Sequence, residues 1–149
     1  MAEGTFTGKV VIVTGGGSGI GAATAHRFAA EGATVVIIGR TQAKLDKVVS
    51  DAPAGSTLIA RVGDISDEEE ITRLVDAVAH DHGGLDTLVN NAATCEPLGT
   101  VSDIDAAGWR RVMSTDVDGV FFASRAALPH LRAAVGSIVN VGSASRTRR

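Results

Sequence analysis

Val10-Val11-Ile12-Val13-Thr14-Gly15-Gly16-Gly17-Ser18-Gly19-Ile20-Gly21 is the stretch that decides the fold. Its four leading apolar residues predict a buried strand. The glycine-rich run predicts a tight turn. The pattern beyond it carries Ile20, Ala23 and Phe28, ends at Gly32, and predicts a helix over 19–31. A strand, a glycine turn and a helix N-terminus together make an anion site. Glycines let the backbone come close to a diphosphate, and the helix's unpaired N–H groups and dipole favour negative charge. Two glycine registers are open. Gly17-x-Gly19-x-x-Ala22 fits the dinucleotide fingerprint but starts late relative to the strand. Gly15-x-x-x-Gly19-x-Gly21 starts where the strand ends. A ligand-free turn has the same composition, so the rest of the chain must decide.

Outward from this stretch, strands and helices alternate. Thr34 to Ile38 is a continuous apolar run, as in a parallel strand covered on both faces. Leu45, Val48 and Val49 predict a helix over 42–51, broken by Ala52-Pro53-Ala54-Gly55. A third strand is expected over 57–62. Ser66 and Glu69 read as a capping box for a helix with Ile71, Leu74, Val75 and Val78 on one face, ending before Gly83-Gly84. A fourth strand is expected over 87–90, then a loop containing Pro97 and Gly99. Residues 109–131 read as mostly helical, with Val112, Val120, Phe121 and Leu128 on the packing side and Pro129 ending or kinking the helix. A fifth strand is expected over 137–141. Five strands alternating with helices predict an α/β doubly wound parallel sheet in the order 3-2-1-4-5, within one domain over 1–149. Ligands in such sheets bind at the carboxyl edge between the first and fourth strands. The glycine loop and Asn90-Asn91 both fall there.

The bulk properties narrow the classes. The chain has 149 residues, 44% hydrophobic and 21% charged, ordinary values for a soluble globular domain. A net charge of -3 gives no reason to expect nucleic acid or a polybasic membrane contact. No run of about 18 apolar residues predicts a membrane span. Met1 to Lys9 has no secretory h-region. The single cysteine, Cys95, fits a reducing, cytoplasmic setting. The four histidines form no metal-binding constellation.

After the second strand, an acid reads the 2′-hydroxyl of NAD, whereas an arginine accommodates the 2′-phosphate of NADP. This strand ends in Gly39-Arg40, so NADP(H) is favoured over NAD(H), with a solvated loop charge as the plainer reading of Arg40. Asp64 is placed to accept from an adenine amino group or to act as a loop acid beside Ser66. Asn90-Asn91-Ala92-Ala93 offers small residues and amides suited to close packing against a cofactor, or an ordinary turn.

These motifs together resemble the N-terminal part of a short-chain dehydrogenase/reductase, over residues 8–145. Thr14-Gly15-x-x-x-Gly19-Ile20-Gly21 is similar to that family's cofactor motif and favours the wider register. Asp64 matches its adenine contact. Asn90-Asn91-Ala92-Ala93 is similar to its Asn-Asn-Ala-Gly motif, with Ala93 in the last place. Residues 109–121 resemble its central helix, and 137–143 its fifth strand, which ends in the active-site Ser. The resemblance implies an NAD(P)-dependent oxidoreductase moving a hydride between nicotinamide and a small carbonyl or alcohol. It implies Ser143 as the catalytic Ser, and Gly15, Ser18, Gly19, Ile20, Gly21, Arg40, Asp64, Ile65, Asn91 and Ala92 as cofactor contacts. It also implies a homo-oligomer.

The sequence departs from the pattern at two places. Asp116 stands where the family has Asn. The family's Tyr and Lys follow its Ser by roughly a dozen residues and more, but this chain has no Tyr and its only lysines are Lys9, Lys44 and Lys47. A phenol of pKa about 10 is a poor base near neutrality without a neighbouring cation. The expectation is a chain truncated near residue 145, inactive as it stands, with its fifth strand left as an exposed apolar edge. A non-catalytic dinucleotide-binding module or partner subunit, and a nonfunctional gene fragment, are the other readings.

Overall fold

The computed structural model describes residues 4–95 and 99–143. Five parallel strands form one sheet: β1 (Val10–Thr14), β2 (Thr34–Gly39), β3 (Thr57–Val62), β4 (Thr87–Asn90) and β5 (Ser137–Asn140), in the order β3-β2-β1-β4-β5. The helices between them are α1 (Gly19–Ala30), α2 (Gln42–Ser50), α3 (Glu68–His82), α4 (Ala106–Met113) and α5 (Val120–Ala134). A π-helical turn, Ser114–Gly119, joins α4 to α5. The expected Rossmann-type order is therefore the observed one. Pro97 and the residues after Ser143 lie outside the described residues.

The sheet explains why its strands read as unbroken apolar runs. Successive side chains point to opposite faces, and both faces of the central strands are covered. Val10, Ile12, Val36, Ile38 and Leu88 pack with α3 and α5, through Ile71, Val75, Ala123, Ala127 and Leu131. Val11, Val13, Val35, Ile37 and Val89 pack on the other side with Ala25 and Ala29 of α1 and Leu45 and Val48 of α2. The parallel register pairs Ile12 with both Val36 and Leu88, so the central layer is continuous across β2, β1 and β4. Burying each such side chain contributes about 1.5–3 kcal/mol. β5 differs: it ends the sheet, and all four of its residues are exposed. Among the described residues, no helix is long and apolar enough to cross a membrane.

Several local expectations are corrected. α3 is capped by Asp67, whose Oδ1 accepts from the Glu70 N–H at 2.9 Å, and not by a Ser66–Glu69 box. The Ser66 hydroxyl donates to Asp64 instead, at 2.7 Å. α3 does stop where expected, with Gly83 in the left-handed region at φ 78°. α5 runs through Pro129 to Ala134. Arg125 and Pro129 both lie on the exposed side, where solvent replaces the missing N–H donor to the Arg125 carbonyl. On α1, Ile20 and Ala23 are exposed, and packing falls to Gly21, Ala25 and Ala29. Phe121 and Leu128 of the central helix are exposed as well, and Ala123, Ala126, Ala127 and Leu131 take the core side.

α5 ends in a strained residue. Val135 has φ 54° and ψ 42°, and its side chain is 92% exposed. The turn allows the Gly136 N–H to reach the Leu131 carbonyl at 2.8 Å. A β-branched residue is poorly suited to this conformation, and an exposed one loses no packing when replaced. Val135→Gly should therefore stabilise the fold by about 1 kcal/mol, read as a raised urea midpoint with an unchanged slope.

Candidate functional site

Thr14 and Asn90 are buried polar residues, 1% and 4% exposed, at the carboxyl ends of β1 and β4. Burial obliges their side chains to find partners. The Thr14 hydroxyl donates to the Val89 carbonyl at 3.3 Å and accepts from the N–H groups of Asn91 and Ala92, each at 3.1 Å. The Asn91 side-chain amide donates to the carbonyls of Thr14 at 3.1 Å and Gly15 at 3.2 Å. Asn90 donates to the Ser124 hydroxyl at 3.0 Å and to Asn140 Oδ1 at 2.9 Å. These bonds join β1, β4, β5 and α5 where the strand order reverses.

The network sets the glycine loop. Gly15 has φ 65°, and a Cβ there would lie 2.7 Å from the Ala92 Cα. A Cβ on Gly21 would overlap the Gly15 carbonyl oxygen. Gly19 is also left-handed, at φ 52°, and opens onto space with nothing within 4 Å of a Cβ. Gly17 has no such backbone demand. The geometry thus separates the two registers: Gly15, Gly19 and Gly21 are constrained where Gly17 is not, and Gly16 is held by Ile37, whose Cβ would lie 2.6 Å from an added Cβ. Ser18 precedes α1 in extended conformation, and its side chain does not cap the helix. The N–H groups of the first turn of α1 therefore have no acceptor within the helix.

A cleft of about 360 Å³ opens over this loop. Its walls include Gly15, Ser18, Gly19 and Ile20, then Arg40 after β2, Asp64 and Ile65 after β3, and Asn91 and Ala92 after β4. Every cofactor contact expected from sequence except Gly21 lines it, and Gly21 lies directly beneath as the buried residue against Gly15. Asp64 is held by its neighbours: its Oδ1 accepts from the Ser66 N–H at 2.9 Å as well as from the hydroxyl, and its own N–H donates to Glu70 at 2.9 Å. Asp64 thus lines the cleft and is at the same time a loop acid bonded to Ser66. Ile65 lines the cleft and is otherwise buried in the core.

A second cleft of about 630 Å³ continues from the first across Ile20, Asn91, Ala92 and Ala93. Asp116, Asn140 and Ser143 line it. Ser143 and Asp116 are thus brought to one cavity although they sit on different elements. Asp116 lies in the π-helical turn, and its Oδ1 accepts from the Thr94 N–H at 2.8 Å, which fastens the loop after β4. Among the described residues, no His/Cys/Asp/Glu group is arranged to hold a metal ion. The tying roles of Thr14, Ser124 and Asn140 were not legible in the sequence. A Thr closing a buried strand just before a glycine loop is the one local signal that points to them.

Comparisons with known proteins agree with this geometry. The family model described as short chain dehydrogenase matches residues 9–148. Meso-2,3-butanediol dehydrogenase of Serratia marcescens is 41% identical over 140 residues, covering 94% of this chain and 55% of that protein. L-fucose dehydrogenase of Bos taurus is 38% identical over 144 residues, covering 96% and 52%. A crystal structure of NAD+-bound xylitol dehydrogenase superposes with a TM-score of 0.86 at 33% identity, covering 91% of this chain and 53% of that one. The chain spans about half the length of the curated relatives it matches.

Thr14→Val keeps the shape of the side chain but leaves the Asn91 and Ala92 N–H groups without their acceptor. It should cost about 1–3 kcal/mol in urea unfolding, while Thr14→Ser, which retains the hydroxyl, should cost less than about 1 kcal/mol.

Proposed function

Because the chain belongs to the short chain dehydrogenase family, a family of oxidoreductases built on this fold, we propose that its two clefts form the cofactor side and the substrate side of a nicotinamide-dependent site. The observation that carries this reading is the glycine loop fixed by Thr14 and Asn91 beneath an open cleft. The residues present fit a dinucleotide. A side chain at Gly15 or Gly21 would collide with backbone, and the space over Gly19 is open to a diphosphate.

In this reading Gly15, Ser18, Gly19, Ile20 and Gly21 hold the diphosphate through backbone N–H groups and the start of α1. Asp64 and Ile65 take the adenine. Arg40 takes the ribose 2′-phosphate, so NADP(H) is preferred over NAD(H). Asn91 acts by holding the loop, since its side-chain amide is already bonded to Thr14 and Gly15, and Ala92 supplies close-packing backbone. When bound, the nicotinamide supplies or accepts a hydride. Ser143 polarises the oxygen of a small carbonyl or alcohol substrate in the second cleft. Asp116 serves as a pin for the neighbouring loop.

Hydride transfer is proposed for the whole protein, and cofactor binding for these 149 residues, which contain no Tyr to exchange the substrate proton. The relatives' names include diol, sugar and polyol dehydrogenases, which supports a hydroxylated or carbonyl substrate. A cytoplasmic setting belongs to the same reading. The exposed length of β5, with Ile138 and Val139 accessible and Val141 just beyond it, favours a second reading in which the chain binds the dinucleotide as a non-catalytic module or partner subunit.

Titrating the purified protein with NADPH and with NADH, by the cofactor's fluorescence, tests the dinucleotide site that both readings share. Saturable NADPH binding is expected; turnover of a carbonyl panel beside it favours the first reading, and binding without turnover the second. Roughly tenfold tighter binding of NADH contradicts the role given to Arg40.

A further inference from the structure

The second cleft, about 630 Å³, is lined by a single charged group among the described residues, the carboxylate of Asp116. Its other polar side chains, Asn90, Asn91, Asn140 and Ser143, carry no net charge. Asp116 is half-buried in the π-helical turn. Its Oδ1 accepts from the Thr94 N–H at 2.8 Å, and among the described residues its Oδ2 has no hydrogen-bond partner. An ionised carboxylate is acceptor-only, with lone pairs on both oxygens. One N–H therefore leaves most of its capacity open to a ligand. Among the described residues, no Lys or Arg lines the cleft to offset that charge. Arg110 and Arg111 of α4 are exposed, and Arg125 of α5 is bonded to Glu68 at 2.8 Å. Asp118, exposed on the same turn, adds potential of the same sign.

We propose, on the reading that the second cleft is the substrate side, that Asp116 determines the charge of the substrate: it admits a molecule with a hydrogen-bond donor beside the reacting carbon, such as a vicinal diol, and disfavours a hydroxy acid of the same size. A hydroxyl that donates to the carboxylate makes a charge-assisted bond, roughly twice as strong as a neutral one. A substrate carboxylate brings no donor to Asp116 and sets a like charge beside it. At about 6 Å and an effective dielectric of about 40, that repulsion amounts to about tenfold in binding. Amide and hydroxyl groups can serve either kind of ligand, so the discrimination falls to Asp116.

Propane-1,2-diol, lactate and 1-aminopropan-2-ol share one carbon skeleton and differ in charge, so they test this directly. The isotope-labelled 149-residue protein is titrated with each in the presence of NADPH, and binding is read from the amide resonances of Ala93, Asn140 and Gly142. Shifts at Gly15 and Gly19 on adding NADPH report the cofactor cleft separately. The diol is expected to bind about tenfold more tightly than lactate, and the amino alcohol at least as tightly as the diol. Asp116→Asn, which keeps an acceptor for the Thr94 N–H, is expected to bring the diol and lactate within about twofold of each other. Raising the ionic strength from about 0.01 M to about 1 M is expected to narrow the same gap in the wild-type protein, with no substitution involved. Lactate binding as tightly as the diol, an amino alcohol binding no better than lactate, or a gap that neither Asp116→Asn nor salt reduces overturns the role of Asp116 and leaves the two-cleft reading standing. Probes that move none of the three amides overturn the second cleft as the substrate side and this role with it.

Discussion

The Thr14 hydroxyl is the constraint on which the rest of the site depends. It closes β1 inside the core, where a polar atom must be bonded, and it does so by gripping the chain just beyond β4. β1 and β4 are neighbours in the sheet but feed helices on opposite faces. A crevice must open between the chain segments that leave them. The Thr14 and Asn91 bonds fix how wide that crevice is at its base and which way the Gly15 carbonyl points. Each buried N–H left without its acceptor would cost about 1–3 kcal/mol, so this edge is specified as strongly as the apolar core beneath it.

The electrostatics of the two clefts follow from which groups are already satisfied. Asp64 and Asp116 are the acids along the walls, and each carboxylate accepts from a nearby N–H: Asp64 from Ser66, Asp116 from Thr94. Against them stand the uncapped start of α1 and the unpaired side chains of Arg40 and Lys44. The end of the crevice near α2 is therefore the electropositive one. The end near Asp116, Asn140 and Ser143 is richer in hydrogen-bonding oxygens and amides. A ligand with an anionic middle and a neutral polar end suits that polarity.

The sheet was legible in the sequence because parallel strands covered on both faces appear as unbroken apolar runs, each closed by glycine, asparagine or an acid. The faces of α2 and α3 were legible too, through Leu45, Val48, Ile71 and Val75, but those of α1 and α5 were less so, for two physical reasons. Contacts between helix and sheet use small residues, Ala25 and Ala29 on α1 and Ala123 and Ala127 on α5, so large apolar side chains mark the wrong side. The π-helical turn Ser114–Gly119 also inserts an extra residue, which rotates the pattern by about 100° between Trp109 and Leu131. That shift helps put Phe121 outside. Capping was misread by one position because Ser66 and Asp67 are both good caps and Asp64 competes for the Ser66 hydroxyl. In the site, the residues singled out by spacing, Gly15, Gly19, Arg40, Asp64 and Asn91, line one cleft. Thr14, Ser124 and Asn140 act only through partners 34 to 78 residues away, a relation that no local pattern carries.

Amide NMR of the isotope-labelled protein during an NADPH titration tests the central claim most directly, because it reads the loop itself rather than an overall affinity. Saturable shifts are expected to cluster at Gly15, Ser18, Gly19, Ile20, Arg40, Asp64 and Ala92, with the resonances of α3 and the outer end of α5 left in place. An absence of saturable shifts, or shifts confined to residues outside the two clefts, would contradict that claim.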